Sequence, residues 1–272
     1  MTTPVNTERG LLRRPDTCLY YEVTGRGPAI IFAHGLGGNH LSWWQQVPQF
    51  CDRYTCVTFA HRGFAPSAVI EGGPDPADYA GDLAALIDHL GLDTPDLVGY
   101  SLGGGVAFFT AVKYPEKVGK LVTASSHFRT DAIYADMRAQ QGQVSAAAAE
   151  FMKDTPMYEL YQRVAPRPED FPRLLDKIGQ AMSEDFDFSE DVRGLQVPTL
   201  VVAADADMAP PSHYVEIFKL LDGGLRDGGW MGESRPAGGH ALAILPGLTH
   251  YNIFSSPLFV ATTLAFLDPA TG

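Results

Sequence analysis

Cysteine is scarce in this sequence, which excludes a disulfide framework. The three cysteines are Cys18, Cys51 and Cys56. So small and odd a number is not typical of disulfide-stabilised folds, and the Cys51–Cys56 spacing has no accompanying histidine or cysteine for a zinc site. We therefore expect three buried free thiols and no bound metal.

Long apolar runs and an excess of basic residues are also missing. No apolar run reaches the length of about 18 residues that a bilayer-spanning helix needs, and the first ten residues, MTTPVNTERG, have no apolar signal core. The 20 Lys and Arg are outnumbered by 32 Asp and Glu, a net charge of −12. This balance argues against a nucleic acid or a membrane as the partner. The sequence predicts a cytoplasmic protein and leaves its oligomeric state open.

Short apolar runs alternate with segments of helical periodicity, which is typical of βαβ units and a mostly parallel sheet. The predicted strands cover residues 18–23, 29–33, 55–59, 95–100, 120–125, 199–204 and 241–245. The predicted helices cover residues 42–50, 76–90, 102–114, 212–221 and 257–267, and residues 223–239 are predicted to form a loop.

Residues 128–195 interrupt this alternation. They contain no convincing strand and are predicted to form several helices, separated at Pro156, Pro166, Pro168 and Pro172. A helical block inside an α/β pattern indicates an inserted cap. The predicted division is therefore an α/β core of residues 1–127 and 196–272, with a helical cap or lid over residues 128–195.

The strongest motif is Gly-Tyr-Ser-Leu-Gly at residues 99–103, a G-x-S-x-G pattern between a predicted strand and a predicted helix. In this context Ser101 stands at the tip of a sharp turn, and the flanking glycines remove Cβ clashes that such a turn would create. The serine occupies the position of the middle glycine in a dinucleotide-binding motif, and no P-loop lysine follows. The motif predicts that Ser101 is a nucleophile.

A second glycine-rich motif, His-Gly-Leu-Gly-Gly at residues 34–38, follows the apolar strand 29–33. Acyl transfer develops negative charge on the substrate oxygen, and each backbone N–H aimed at that charge contributes roughly 3 kcal/mol. The amides of Leu36 and Leu102 are the predicted donors of an oxyanion hole. We assign no chemistry to His34, which braces this loop in our interpretation.

Serine needs a base that a third group holds in place. His250 follows the last predicted strand, at the sheet edge where Ser101 lies, and is the predicted base. His240 precedes that strand and lies at the opposite edge, whereas His127 lies at the correct edge but at the entrance to the cap. Two acids, Asp205 and Asp207, follow the predicted strand 199–204. Both are candidates for the third group, and Asp207 is preferred because it lies further into the loop.

The chain resembles the α/β-hydrolase superfamily along nearly its full length. HGLGG, GYSLG, VPTLVVAADAD and LPGLTH stand where that family has its oxyanion loop, nucleophile, acid and histidine. The G-x-x-D pattern of the family acid reads Ala-Asp-Ala-Asp at residues 204–207, which supports Asp207. Residues 61–67 resemble the family's D-x-R-G-x-G-x-S loop, with Ala60 and Ala65 as departures. Ser101 argues against the relatives that have an aspartate nucleophile.

The resemblance implies a Ser101–His250–Asp207 triad, a covalent acyl-enzyme and no cofactor. The predicted substrate is a small carboxylic ester or lactone, since the candidate pocket is mainly apolar. Its predicted lining residues are Trp43, His127, Phe128 and Tyr251. Two alternatives stay open: hydrolysis of a C–C bond or an enol-lactone of aromatic breakdown by the same triad, and a non-catalytic ligand receptor on the same fold.

Overall fold

A single eight-stranded sheet organises the chain. The computed structural model describes residues 6–67, 76–231 and 238–268, and the strand order is β1-β2-β4-β3-β5-β6-β7-β8. From β4 to β8 the pairing is parallel, whereas β1 and β2 pair antiparallel at one edge. The strands are β1 (Thr7–Arg13), β2 (Cys18–Gly25), β3 (Ala29–Ala33), β4 (Thr55–Phe59), β5 (Asp96–Tyr100), β6 (Leu121–Ala124), β7 (Thr199–Ala206) and β8 (Ala241–Thr249).

Helices connect these strands. They are α1 (Val47–Phe50), α2 (Pro76–His89), α3 (Leu102–Lys113), α4 (Ala135–Gln141), α5 (Pro156–Val164), α6 (Phe171–Ser183), α7 (Ser189–Gly194), α8 (Pro211–Leu220) and α9 (Pro257–Leu267). Four of them, α4 to α7, lie in the segment 128–195, which is described throughout and contains no strand. Among the described helices, none is long and apolar enough to cross a membrane.

The sheet is buried on both faces, which explains why its central strands are apolar without alternation. In β3, the side chain of Ile31 packs into the core on one face, while Ile30 and Phe32 pack into the core on the other, and all three are fully buried. Each side chain of this kind stabilises the fold by roughly 1.5–3 kcal/mol. The predicted α/β-hydrolase architecture with a mostly parallel sheet is confirmed.

Two strands extend further than predicted. The expected ends were residues 204 and 245, but β7 continues to Ala206 and β8 to Thr249 across an irregular register. The carboxylate of Asp205 accepts the backbone N–H groups of Gly247 at 2.9 Å and Leu248 at 3.1 Å. These bonds hold the extensions together although β8 contains a proline and a glycine there. As a result, Asp207 and His250 each follow directly on a strand end.

The edge of the sheet and the first helix also differ from the prediction. Strand β1 was not predicted, because it is a largely exposed edge strand in which only Leu12 is buried. The predicted helix 42–50 is a 3₁₀ turn, His40–Trp43, followed by the separate short helix α1. The Asn39 side chain caps the turn by accepting the N–H of Leu41, and Pro48 at the start of α1 supplies no N–H donor.

Candidate active site

Ser101 lies at the sharp turn between β5 and α3, in a backbone conformation that only glycine adopts readily. Its φ is 53° and its ψ is −121°, a strained combination that costs about 1–3 kcal/mol and is concentrated at functional sites. The Ser101 N–H donates to the carbonyl of Ala124 in β6 at 2.9 Å, and its carbonyl accepts the N–H groups of Gly104 and Gly105. These bonds stabilise the turn and leave the hydroxyl at its tip.

The two glycines of the motif are required by close backbone contacts. A Cβ at Gly99 would lie 2.2 Å from the carbonyl oxygen of Gly103, and a Cβ at Gly103 would lie 2.0 Å from the carbonyl oxygen of Ala33. The turn therefore packs directly against the end of β3. This packing brings Ser101 next to the glycine loop, residues 34–38, because a Cβ on Gly35 would lie 3.3 Å from the Ser101 Cβ.

We expect Gly103→Ala to destabilise the protein by at least about 3 kcal/mol, because backbone atoms would have to move to admit the methyl group. The matched control is Gly105→Ala, two residues further along α3, where a Cβ would meet no atom within 4 Å apart from its chain neighbours and its own helix backbone. That control should be neutral or stabilising by up to about 1 kcal/mol. Urea unfolding of both variants measures the difference, and equal stabilities would contradict this account of the turn.

A continuous hydrogen-bonded chain joins Ser101, His250 and Asp207. The Nε2 of His250 lies 3.2 Å from the Oγ of Ser101, and its Nδ1 lies 2.8 Å from the Oδ1 of Asp207. His250 and Asp207 are 5% and 7% exposed. An acceptor on the Nδ1 side fixes the tautomer with the proton on Nδ1, which leaves Nε2 free to accept the Ser101 proton.

The Asp207 carboxylate is held as an anion by four donors. Its Oδ1 accepts His250 Nδ1 and the N–H of Met208 at 2.8 Å, and its Oδ2 accepts the Ser125 hydroxyl and the N–H of Ala204 at 3.2 Å. Burial alone would raise the pKa of Asp207, but the hydrogen bond and charge interaction with His250, followed by the hydrogen bonds from Ser125 and the Met208 amide, outweigh burial and hold the pKa below its ordinary value. Asp207 is therefore ionised at neutral pH.

The other acid candidate, Asp205, is directed elsewhere. It is exposed, and its carboxylate accepts the amides of Gly247 and Leu248, as described above. Asp205 therefore has a structural role, because these two bonds join β7 to β8. The structure brings only Asp207, of the two acids, within hydrogen-bonding distance of His250.

Two buried histidines brace the glycine loop. The Nε2 of His34 accepts the backbone N–H of His61 at 3.1 Å, so its Nδ1 carries the proton and donates to the carbonyl of Gly35 at 2.8 Å. In turn, the Nε2 of His61 donates to the carbonyl of His34 at 2.9 Å. Burial lowers the pKa of His61 to about 4 and that of His34 well below its ordinary value. The pair is neutral and rigid at neutral pH.

Of the two predicted oxyanion-hole donors, Leu36 lies within this loop and Leu102 is the first residue of α3. Within the described residues, the backbone N–H groups of Leu36 and Leu102 have no hydrogen-bond acceptor. Both residues line a cavity between the glycine loop and helix α6. Its walls are mainly apolar and include Phe64, Leu174 and Ile178. Unpaired amides beside a cavity are available to a ligand oxygen.

The segment 128–195 lies over the glycine loop. A Cβ on Gly37 would lie 2.9 Å from both Sδ and Cε of Met157, a residue of α5. Met157 and Tyr161 also line a second small cavity with Gly37 and Gly38. Side chains of α5 and α6 therefore form the walls opposite the loop.

The residues predicted to line the pocket occupy different environments. Trp43 is 1% exposed and packs in the core against Phe32, on the other side of the sheet from α3. Phe128 is buried against Phe108, and Tyr251 is 65% exposed with its ring edge-on to His250. None of these three lines either cavity described above.

His127 lies closer to the hydrogen-bonded chain. Its ring stacks on Phe186 at a centroid distance of 5.7 Å, and its buried Nδ1 has no partner among the described residues. Burial, followed by the nearby His250, lowers the pKa of His127 to about 4. The side chain is thus a neutral ring next to the candidate site.

Sequence reasoning missed two residues that support the candidate site. Ser125 donates to Asp207, and the Tyr100 hydroxyl donates to the carbonyl of His250 at 2.7 Å while its ring stacks on Phe254. The position of Tyr100 inside the G-x-S-x-G motif was a usable signal, because it adjoins Ser101. For Ser125, the only signal was its position as the last residue of the predicted strand 120–125.

The mostly parallel eight-stranded sheet flanked by helices is an α/β-hydrolase fold. Residues 28–152 match the family model described as alpha/beta hydrolase fold. A thermophilic esterase from Thermogutta terrifontis superposes with a TM-score of 0.71 at 23% identity, covering 94% of this chain and 96% of that chain. At 23% identity, this superposition shows that the two chains share a fold.

Two curated relatives are named as hydrolases of different kinds. The 3-oxoadipate enol-lactonase 2 of Acinetobacter baylyi is 26% identical over 227 residues, which cover 75% of this chain and 81% of that protein. RutD of Azorhizobium caulinodans, named as a carbamate hydrolase, is 26% identical over 230 residues, covering 78% and 84%. This chain is similar to both.

Proposed function

We propose that the protein is a serine hydrolase that cleaves a carboxylic ester or lactone through a covalent acyl-enzyme. The observation that carries the proposal is the hydrogen-bonded chain from Ser101 through His250 to the buried carboxylate of Asp207. A strained serine, an imidazole whose Nε2 faces that serine and an ionised acid are the three groups that activate a hydroxyl for acyl transfer.

The first half of the reaction acylates Ser101. His250 Nε2 takes the hydroxyl proton while Oγ attacks the carbonyl carbon, and the carbonyl oxygen gains the negative charge. The amides of Leu36 and Leu102 stabilise that charge. When the tetrahedral intermediate collapses, the C–O bond to the leaving group breaks and His250 returns the proton to that oxygen. Asp207 stabilises the imidazolium in between.

The second half releases the acid. His250 removes a proton from water, the resulting nucleophile attacks the acyl carbon, and the Ser101–acyl bond breaks as the proton returns to Oγ. In a lactone the leaving oxygen stays attached to the acyl group, so the product is one hydroxy acid, or its keto form from an enol-lactone. The chain's own residues account for every proton transfer.

The substrate class rests on two further observations. The walls of the cavity beside Leu36 and Leu102 are mainly apolar, which favours a neutral scissile group with a hydrocarbon flank. In addition, a curated relative is an enol-lactonase, whose substrate is a cyclic ester. We infer that the segment 128–195 serves as a cap and supplies the opposite wall from α5 and α6.

A substrate panel combined with covalent labelling tests the proposal. The purified protein should react with a fluorophosphonate probe, and mass spectrometry should locate the adduct on Ser101. Turnover of 4-nitrophenyl acetate and of small lactones should exceed turnover of a β-diketone or a carbamate. Preferred C–C or carbamate cleavage with labelled Ser101 would keep the triad but overturn the ester assignment, and no labelling would favour a non-catalytic receptor.

A further inference from the structure

Ser125 follows the end of β6. The two neighbouring strands each carry one member of the proposed triad at the same edge of the sheet. Strand β6 pairs with β5 on one side and β7 on the other, and Ser101 and Asp207 follow the ends of those two strands. The backbone N–H of Ser125 donates to the carbonyl of Val202 in β7 at 2.8 Å. Position 125 is thus fixed at the sheet edge where the proposed chemistry occurs.

The Ser125 side chain points at the proposed acid. It is fully buried, and its Oγ donates to the Oδ2 of Asp207 at 2.5 Å. Its backbone φ is 52°, a left-handed conformation that is uncommon for residues other than glycine. Residues in such conformations persist only where the surroundings enforce them, and they are concentrated at functional sites.

The neighbouring serine contacts the other part of the triad. Ser126 Oγ donates to the carbonyl of Ser101 at 2.9 Å and fills the space beside Gly104, where a Cβ would lie 1.8 Å away. Two consecutive hydroxyl groups after β6 therefore face the proposed acid and the backbone of the proposed nucleophile. Their separate contacts allow their effects to be distinguished.

A carboxylate that bonds an imidazole through one oxygen can still rotate about its Cβ–Cγ bond unless its second oxygen is held. On Oδ2 of Asp207, the Ala204 amide is a longer bond, at 3.2 Å, than the Ser125 hydroxyl, at 2.5 Å. We propose that Ser125 is a positioning residue that fixes the orientation of Asp207 toward His250. The proposal rests on the triad function proposed above, and Ser125 acts through Asp207 without touching substrate.

Two substitutions at this position separate the hydroxyl from the backbone strain. Ser125→Ala and Ser125→Gly both remove the hydroxyl, and glycine also relieves the positive φ, so the glycine variant should unfold at the higher temperature. With 4-nitrophenyl acetate, we expect both to lower kcat by about 10- to 100-fold, since small misplacements of reacting groups have effects of this size. KM should change by less than about twofold.

Ser67→Ala is the matched control. Ser67 is also buried, and its hydroxyl makes two hydrogen bonds, to the carbonyl of Ala60 at 2.7 Å and from the N–H of Tyr20 at 2.9 Å. These contacts connect β2 to the loop after β4 and do not reach the triad. The control should lose stability but keep its kcat, which distinguishes a positioning effect from general loosening of the fold.

A double-mutant cycle with Asp207→Ala completes the test, because that change removes the acceptor. In that background, Ser125→Ala should alter the rate of Ser101 labelling by less than about twofold. The positioning role would be overturned if Ser125→Ala slowed Ser101 labelling by the same factor with and without the Asp207 carboxylate. It would also be overturned if Ser125→Gly kept the wild-type kcat. If Asp207→Ala alone leaves activity unchanged, the proposed triad fails; if it abolishes activity while Ser125 variants stay fully active, only the positioning role fails.

Discussion

Ser101→Ala should lower kcat for ester hydrolysis by at least about 10⁴-fold, because in the proposed mechanism the hydroxyl at the tip of the turn supplies the atom that attacks the carbonyl. The methyl side chain removes only the 3.2 Å contact with His250 and leaves the turn and its flanking glycines intact. Stopped-flow measurement of 4-nitrophenol release gives kcat for the variant and the wild type, each with and without prior treatment with a fluorophosphonate. Residual turnover within 100-fold of the wild type would refute the assignment of Ser101.

Ser101→Gly is the matched control for folding. Both substitutions remove the hydroxyl, but glycine also accepts the φ of 53° without strain. We expect the glycine variant to be as inactive as the alanine variant and more stable, by about 1 kcal/mol or more. If the more stable glycine variant were active although it lacks the hydroxyl, the inactivity of the alanine variant would have come from misfolding.

Asp207→Asn should lower kcat by roughly 10³- to 10⁴-fold while leaving the shape of the site unchanged. The amide can donate to His250 Nδ1, which favours the tautomer with the proton on Nε2. That nitrogen could then no longer accept the Ser101 proton. The measurement is kcat with 4-nitrophenyl acetate in protein whose circular dichroism matches the wild type.

Asp205→Asn is the control, two residues away on the same strand end. It exchanges the carboxylate that accepts Gly247 and Leu248 for a weaker neutral acceptor. We expect a loss of about 1–2 kcal/mol of unfolding free energy and a kcat within about tenfold of the wild type. A reversed ranking of the two variants would exchange the roles assigned to these acids.

The central sheet could be predicted because the burial of each strand is visible in the residues of that strand alone. A strand buried on both faces, such as β3, must be apolar throughout, and its sequence shows this directly. The meeting of Ser101, Asp207 and His250 could also be predicted, because parallel strands present their carboxyl ends at one edge. The edge strand β1 could not, since only Leu12 among its residues is buried and the pattern that marks a strand is weak.

Other features depend on spatial order that the sequence does not contain. The contact of Ser125 with Asp207 requires that β6 lie beside β7, although the segment 128–195 separates them in the chain. Trp43 follows the glycine loop closely in sequence, yet the 3₁₀ turn directs its ring into the core behind the sheet. Proximity along the chain was therefore a poor guide to the lining of the pocket.

The contact between Met157 and Gly37 places a flexible side chain over the loop that would bind the substrate oxygen under the proposed function. The Met157 thioether lies against a glycine, and it can move aside without disturbing the backbone because methionine is unbranched and has several accessible rotamers. The passage to the amides at the loop can therefore widen by a rotamer change of one residue in α5, with β3 and the paired histidines beneath it held still. Under the proposed function, the Met157 side chain would limit the size of the substrate, while the amides of the braced loop would stabilise the charge on its oxygen.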